Sequence, residues 1–114
     1  MIAPTGYCGR VGLALHTTRQ DGRALVTARG SIDLHSSEEL RERLAELVDQ
    51  GEREIVVDLT AVDFCDSSGL NVLVRAYKQA RQAGASFSVT GAYGRVDNVL
   101  RTTGLDRFLL ARET

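Results

Sequence analysis

The sequence is poor in the residues that build metal sites and disulfide frameworks. Its 114 residues include two cysteines, two histidines, one proline and no tryptophan. Cys8 and Cys65 are far apart and lack the C-x-x-C spacing that zinc sites commonly use. We therefore expect no metal site and no cofactor, and we expect Cys65 to be a small buried side chain.

The sequence also lacks a charge imbalance and a long apolar run. Fourteen basic residues balance fifteen acidic ones to a net charge of -1, which argues against nucleic acid or an anionic membrane as a partner. Apolar stretches such as Ile55–Val57 are short, whereas a membrane helix needs about 20 residues. Residues 1–12 show neither the basic nor the apolar part of an export signal. We expect a cytoplasmic protein whose partners are proteins or small molecules.

The length fits one domain. Residues 1–10 contain Pro4, Gly6 and Gly9 without any apolar periodicity, which is typical of a flexible tail. The predicted domain therefore covers residues 11–114.

The first half of the chain predicts a β-hairpin followed by a helix. Alternating apolar residues that begin at Val11 and resume over 24–28 flank a turn at 20–22. Ser36 and Glu39 have the spacing of a capping box, which opens a helix, and Gly51 is placed to end it in a left-handed conformation. The apolar stripe of this helix comprises Leu40, Leu44, Leu47 and Val48.

The second half alternates strands with helices. The β-branched run 55–59 predicts a central strand, and apolar residues at helical spacing over 70–80 predict a second helix. A strand at 86–90 and a short helix that Gly104 stops follow, and 108–110 form either an edge strand or a docked tail. Together these elements predict an α/β fold in which helices pack against a mixed sheet.

The most informative segment is 63–70, which joins the central strand to the second helix. Loops at the carboxyl end of such a strand are exposed. Ser67 or Ser68 is the predicted N-cap, where free N–H groups and the helix dipole favour an anion. A phosphoserine fits this position, and its charge would alter any protein surface docked over the loop.

The residues alone leave other interpretations open. A serine that only caps the helix needs no phosphorylation. A nucleophilic serine would need a base, but the G-x-S-x-G motif is missing, His16 lies in a predicted strand and His35 just before a helix, so we expect no catalysis. Nucleotide binding at the same loop would lack a Walker-type glycine-rich motif.

The order of these motifs resembles the STAS domain of bacterial anti-sigma factor antagonists. The resemblance rests on the Gly30–Asp33 turn and the strand–loop–helix block Val56–Leu73, and it runs from about Val11 to Leu110. It implies the STAS fold, a mixed sheet of four to five strands with helices mainly on one face.

The resemblance also implies partner switching in transcription regulation, as in stress response and sporulation. An unphosphorylated antagonist binds an anti-sigma factor that is also a GHKL-type serine kinase, which frees a sigma factor. Phosphorylation ends this binding, and a phosphoserine phosphatase restores it. The chain would be a monomer or weak dimer, with no direct contact to nucleic acid or membrane. The alternative within the same family is a structural subunit of a lipid transporter complex that is never phosphorylated.

The resemblance assigns roles to individual residues. The phosphate acceptor is the first serine after the aspartate, Ser67. Asn71 stands where many relatives have glycine and would tune which kinase is recognised. For Asp33, turn chemistry alone is the alternative role. The expected partner-binding residues are Asp33, Asp66, Ser67, Ser68, Gly69 and Asn71.

Overall fold

A computed structural model describes residues 13–109 of the chain. The predicted tail 1–10 and Val11 lie outside the described residues, as does Leu110. Four strands and four helices follow one another as β1 (Leu13–Gln20), β2 (Arg23–Ile32), α1 (Ser37–Asp49), β3 (Glu54–Cys65), α2 (Ser67–Gln82), β4 (Ser86–Thr90), α3 (Gly94–Thr103) and α4 (Asp106–Leu109).

The strands form one mixed sheet in the order β1-β2-β3-β4. β1 and β2 are antiparallel, whereas β2 with β3 and β3 with β4 are parallel. The predicted position of the 55–59 strand inside the sheet is confirmed, because β3 pairs on both sides there. Helices α1 and α2 supply the crossovers that parallel strands require.

The predicted hairpin is also confirmed. Asp21 and Gly22 form a two-residue turn between Gln20 and Arg23, with φ angles of 55° and 79°. Two successive positive φ angles suit the right-handed twist of paired strands, and an Asp-Gly pair adopts them readily. The turn therefore sets the register of the first two strands.

The core lies on one face of the sheet. Side chains at alternate strand positions are buried, while their neighbours on the opposite face are partly or fully exposed. The buried set on the strands comprises Leu13, Leu15, Ala24, Val26, Ala28, Ile55, Val57, Leu59, Phe87 and Val89. The helices cover this face with the predicted stripe of α1 and with Leu73 and Ala80 of α2. The expectation of helices mainly on one face agrees with this one-sided burial.

The start of α1 differs from the prediction. Ser36 precedes the helix, but its hydroxyl makes no cap bond to the helix N–H groups and Glu39 forms no capping box with it. Instead Ser36 Oγ donates to the Ser31 carbonyl at 2.9 Å and accepts from the Asp33 N–H at 2.9 Å. The capping-box prediction is wrong because this buried serine stabilises the turn before the helix.

The end of α1 follows the prediction. Gly51 has a φ of 83°, which places it in the left-handed region that glycine tolerates best. Its N–H donates to the Val48 carbonyl at 3.1 Å, and the Glu52 N–H donates to the Leu47 carbonyl at 3.3 Å. These two bonds are those of a Schellman motif.

The central strand is longer than its apolar run. β3 continues to Cys65, although the predicted strand covered 55–59 and the predicted joining segment began at residue 63. Beyond Asp58 it no longer pairs with β4, and its one strand partner there among the described residues is β2, with register shifts after Thr27 and Gly30. A strand paired on one side can carry exposed polar residues, which is why the apolar pattern stopped early.

The C-terminal part packs as helix, not as strand. α3 buries Val96 and Leu100, and Gly104, with a φ of 78°, follows it as predicted. The proposed edge strand at 108–110 is wrong for the described residues, because Asp106–Leu109 form one helical turn whose Leu109 is fully buried. Among residues 13–109, no helix has the length and apolarity to cross a membrane.

Candidate functional site

Segment 63–70 lies at the carboxyl end of β3, where the chain passes directly into α2. The residue between strand and helix is Asp66, with an extended backbone at φ -94° and ψ -172°. Its carboxylate accepts the Ser68 N–H at 2.9 Å and the Gly69 N–H at 3.2 Å. Asp66 is therefore the N-cap, and the prediction that Ser67 or Ser68 occupies that position is wrong. Aspartate caps helices as well as serine does, so the sequence predicts an N-cap in this segment but does not show which of the three neighbouring residues it is.

Ser67 is the first residue of α2, and its side chain is exposed. Its hydroxyl makes no hydrogen bond within the described part of the chain, to His16, to His35 or to any other group. A base that would activate it as a nucleophile is therefore not paired with it there. What remains is an accessible hydroxyl at a helix N-terminus.

Ser68 and Asn71 border the same surface. Ser68 is half-buried and Asn71, one turn further along α2, is exposed. With Ser67 they line a shallow depression whose apolar side is formed by Leu70, Val74 and Leu105. Leu105 comes from the turn before α4, so two distant parts of the chain contribute to this surface.

Gly69 is buried and leaves no room for a side chain. A Cβ atom at this position would lie 2.5 Å from Ile32 Cγ2 and 2.7 Å from Cys65 Sγ. Glycine therefore lets α2 approach the ends of β2 and β3 closely. The structure places Gly69 beneath the surface that Ser67 and Asn71 form.

The turn that contains Asp33 lies beside the N-terminus of α2. The Asp66 N–H donates to the Ile32 carbonyl at 3.0 Å, and Ile32 pairs with Cys65 in the sheet. The topology thus brings the two predicted acidic residues, which are 33 positions apart in sequence, to the same end of the sheet.

Asp33 organises its own turn. One carboxylate oxygen accepts the N–H groups of His35 and Ser36, each at 3.0 Å, and lies 3.1 Å from the Ser36 hydroxyl. These bonds favour the charged form, so the Ser36 N–H above all holds the pKa of Asp33 below its usual value of 3.8. The alternative role predicted for Asp33, turn chemistry, is present in the structure.

Cys65 is a core residue. It is 4% exposed, and burial followed by the nearby charge of Asp66 raises the pKa of its thiol to about 12. A thiol that stays protonated is a poor nucleophile and a poor metal ligand. The prediction of a small buried side chain is confirmed. Within residues 13–109, no group of three or more His, Cys, Asp or Glu side chains could hold a metal ion.

Comparison with known proteins finds similarity over most of the chain. Residues 14–114 match the model of the STAS domain. The anti-sigma-B factor antagonist of Staphylococcus aureus is 30% identical over 103 residues, which cover 90% of this chain and 95% of that protein.

Solved structures show the same architecture. An anti-sigma factor antagonist from Mycobacterium paratuberculosis superposes with a TM-score of 0.79 at 27% identity, covering 90% of this chain and 86% of that one. The phosphorylated form of the Bacillus cell fate determinant SpoIIAA superposes with a TM-score of 0.70 at 18% identity, covering 88% and 93%, and at that identity it supports the fold alone.

Proposed function

The chain belongs to the STAS domain family, and from this premise we propose that it is an anti-sigma factor antagonist switched by phosphorylation of Ser67. The unphosphorylated form binds an anti-sigma factor that is also a GHKL-type serine kinase, and a sigma factor is thereby released. The observation that carries this proposal is the exposed Ser67 hydroxyl, which no described group engages.

The phosphoryl transfer requires only an accessible acceptor on this chain. Ser67 Oγ attacks the γ-phosphorus of ATP, the bond to the bridging oxygen breaks, and ADP leaves. The hydroxyl proton passes to a base of the kinase. A phosphoserine phosphatase then uses water to restore the hydroxyl and release inorganic phosphate, so the cycle is reversible.

The surroundings of Ser67 keep the effect of the phosphate at the surface. The Ser68 and Gly69 N–H groups are already bonded to the Asp66 carboxylate. A phosphate brings a further charge of about -1.5 to -2 next to that carboxylate, so it projects toward solvent instead of folding onto the helix. A docked partner then meets new negative charge while the domain beneath it stays unchanged.

Phosphorylation of this chain by a GHKL-type anti-sigma kinase of the same organism tests the assignment. With ATP, we expect one phosphate per chain, on Ser67 by peptide mass spectrometry. The matched control is Ser68→Ala, which removes the neighbouring hydroxyl and should still accept one phosphate. Equal phosphorylation of Ser67→Ala and wild type would contradict the proposal.

The affinity for the same kinase distinguishes the effect of an added charge at position 67 from the effect of losing the Ser67 hydroxyl. Ser67→Ala should bind like wild type, whereas Ser67→Asp should bind at least roughly tenfold more weakly, because a buried unpaired charge at an interface is costly. Isothermal titration with ADP present measures both. Equal affinity of Ser67→Asp and Ser67→Ala would show that charge is not the signal.

A further inference from the structure

Large apolar side chains that remain exposed are concentrated near the switch. Within residues 13–109 they are Leu25, Leu34, Phe64 and Tyr93, with exposures of 39%, 70%, 41% and 57%. Leu34 and Tyr93 follow the carboxyl ends of β2 and β4, and Phe64 is the last residue but one of β3, so these three lie toward the same end of the sheet as Ser67. Leu25 instead lies near the start of β2.

Phe64 and Tyr93 border one groove, which we call the aromatic groove. Its remaining lining includes Ser31, Val62, Asp63 and Arg95. This groove is separate from the depression at Ser67, but Phe64 is only three residues away along the same segment.

The close approach of the backbone at Gly91 explains why Phe64 and Tyr93, which are far apart in sequence, border the same groove. Gly91, with a φ of 77°, lies so close to β3 that a Cβ atom there would be 2.2 Å from Thr60 Oγ1. The loop after β4 therefore runs against the part of β3 that extends beyond its pairing with β4. This close approach carries Tyr93 to the side of Phe64.

Two charged side chains, Asp63 and Arg95, border the aromatic groove. Asp63 accepts a hydrogen bond from the Ser31 hydroxyl at 3.0 Å. Arg95 is exposed, and no carboxylate pairs with it in the part of the chain that the structure describes. The Asp63 carboxylate keeps its charge, because the serine hydroxyl is a neutral donor, so the rim carries one charge of each sign. The Arg95 guanidinium, which pairs with no described group, is the one that can bind a carboxylate of a partner.

We propose that the aromatic groove is a second docking surface for the kinase that reads Ser67, and that it takes an aliphatic side chain flanked by a carboxylate. This inference rests on the proposed function. An exposed aromatic pair provides a rigid apolar contact, which is the typical anchor of a protein interface, and Arg95 supplies the matching charge. Because the aromatic groove is separate from the depression that Ser67 lines, it contributes to binding of the antagonist and not to the transfer step.

The test compares Tyr93→Ala and Phe64→Ala with wild type and with the control Leu25→Ala. Leu25 is as exposed as Phe64 but lies near the other end of the sheet. Steady-state phosphorylation by the kinase gives KM and kcat, and urea unfolding verifies that each variant folds. We expect KM to rise by roughly tenfold or more for the two aromatic variants, with kcat unchanged, and to stay at the wild-type value for Leu25→Ala.

Charge reversal provides a second measurement. Arg95→Glu should raise KM at low salt, and the difference from wild type should shrink as salt is added, since exposed charges are screened. If Tyr93→Ala, Phe64→Ala and Arg95→Glu all keep the KM of wild type, the inference is wrong while phosphorylation of Ser67 stands. If wild type itself is not phosphorylated on Ser67, the proposed function fails, and this inference with it.

A second copy of the chain is the competing occupant. Sedimentation of wild type and of Tyr93→Ala tests for this occupant. If wild type is a dimer, Tyr93→Ala is a monomer and the KM of Tyr93→Ala is unchanged, the aromatic groove serves self-association and the proposal is overturned.

Discussion

At the scale of single residues, Gly69 determines how closely α2 can approach the sheet. Its missing side chain allows contact with Ile32 and Cys65, whose atoms would lie within 2.7 Å of a Cβ. Ser67 is held at the surface by the same close contact, because the first turn of α2 is pressed against the strand ends below it.

Gly69→Ala should therefore destabilise the domain. Forcing a methyl group into this space costs about 1–3 kcal/mol, since Ile32 or the helix must shift. Urea unfolding measures the free energy of unfolding. The control is Asn71→Ala, an exposed position on the same helix where the change should stay within about 0.5 kcal/mol. Equal stabilities of Gly69→Ala and Asn71→Ala would show that the contact relaxes without cost.

At the scale of an element, the turn between β2 and α1 depends on one ionised carboxylate. Asp33 accepts hydrogen bonds from His35 and Ser36, and the Ser37 N–H bonds to the Asp33 carbonyl at 2.8 Å. Protonation of Asp33 weakens these contacts. The turn should then lose order before the rest of the sheet does.

The stability of the domain should depend on the charge of Asp33 in acid. Because folding lowers the pKa of Asp33, its contribution is fully present above the usual value of 3.8 and is lost as the pH falls below it toward the folded-state pKa. Urea midpoints at about pH 6 and about pH 3 measure the loss in wild type and in Asp33→Asn. The variant should lose less stability on acidification, since it has no proton to gain at this position. A loss as large as that of wild type would assign the acid sensitivity to other carboxylates.

At the scale of the whole molecule, Cys65 reports on opening of the core. It lies under α2 at the end of the central strand, and burial raises the pKa of its thiol to about 12. A raised thiol pKa adds stability below the ordinary value of 9.0, and this contribution is lost as the pH rises from 9.0 to about 12.

Alkylation should reach Cys65 only through opened molecules. In a Cys8→Ser variant, iodoacetamide at about pH 8 should label the native protein roughly 10³-fold or more slowly than a peptide of residues 60–70, following the fraction of unfolded chains. Mass spectrometry measures the rates. Above the urea midpoint the two rates should agree, which serves as the control. Rapid labelling of a fully folded sample would mean that the strand end opens locally.

The sequence alone determined the elements whose signals are local. The Asp21–Gly22 turn, the apolar stripe of α1, the interior strand at 55–59 and the glycine after α1 all follow from backbone sterics and periodic burial, and the structure has them where the pattern predicted. Ser67 was also recognisable, as a serine at the start of a helix after a strand.

Only the tertiary structure decided which atoms meet. The sequence could not choose Asp66 over two neighbouring serines as the N-cap, because aspartate and serine both cap helices well and the choice depends on where the strand ends. It could not place Ser36 in the Asp33 turn, extend β3 to Cys65, or bring Tyr93 beside Phe64. Those outcomes depend on pairing and close packing between segments far apart in the chain, which local propensity does not encode.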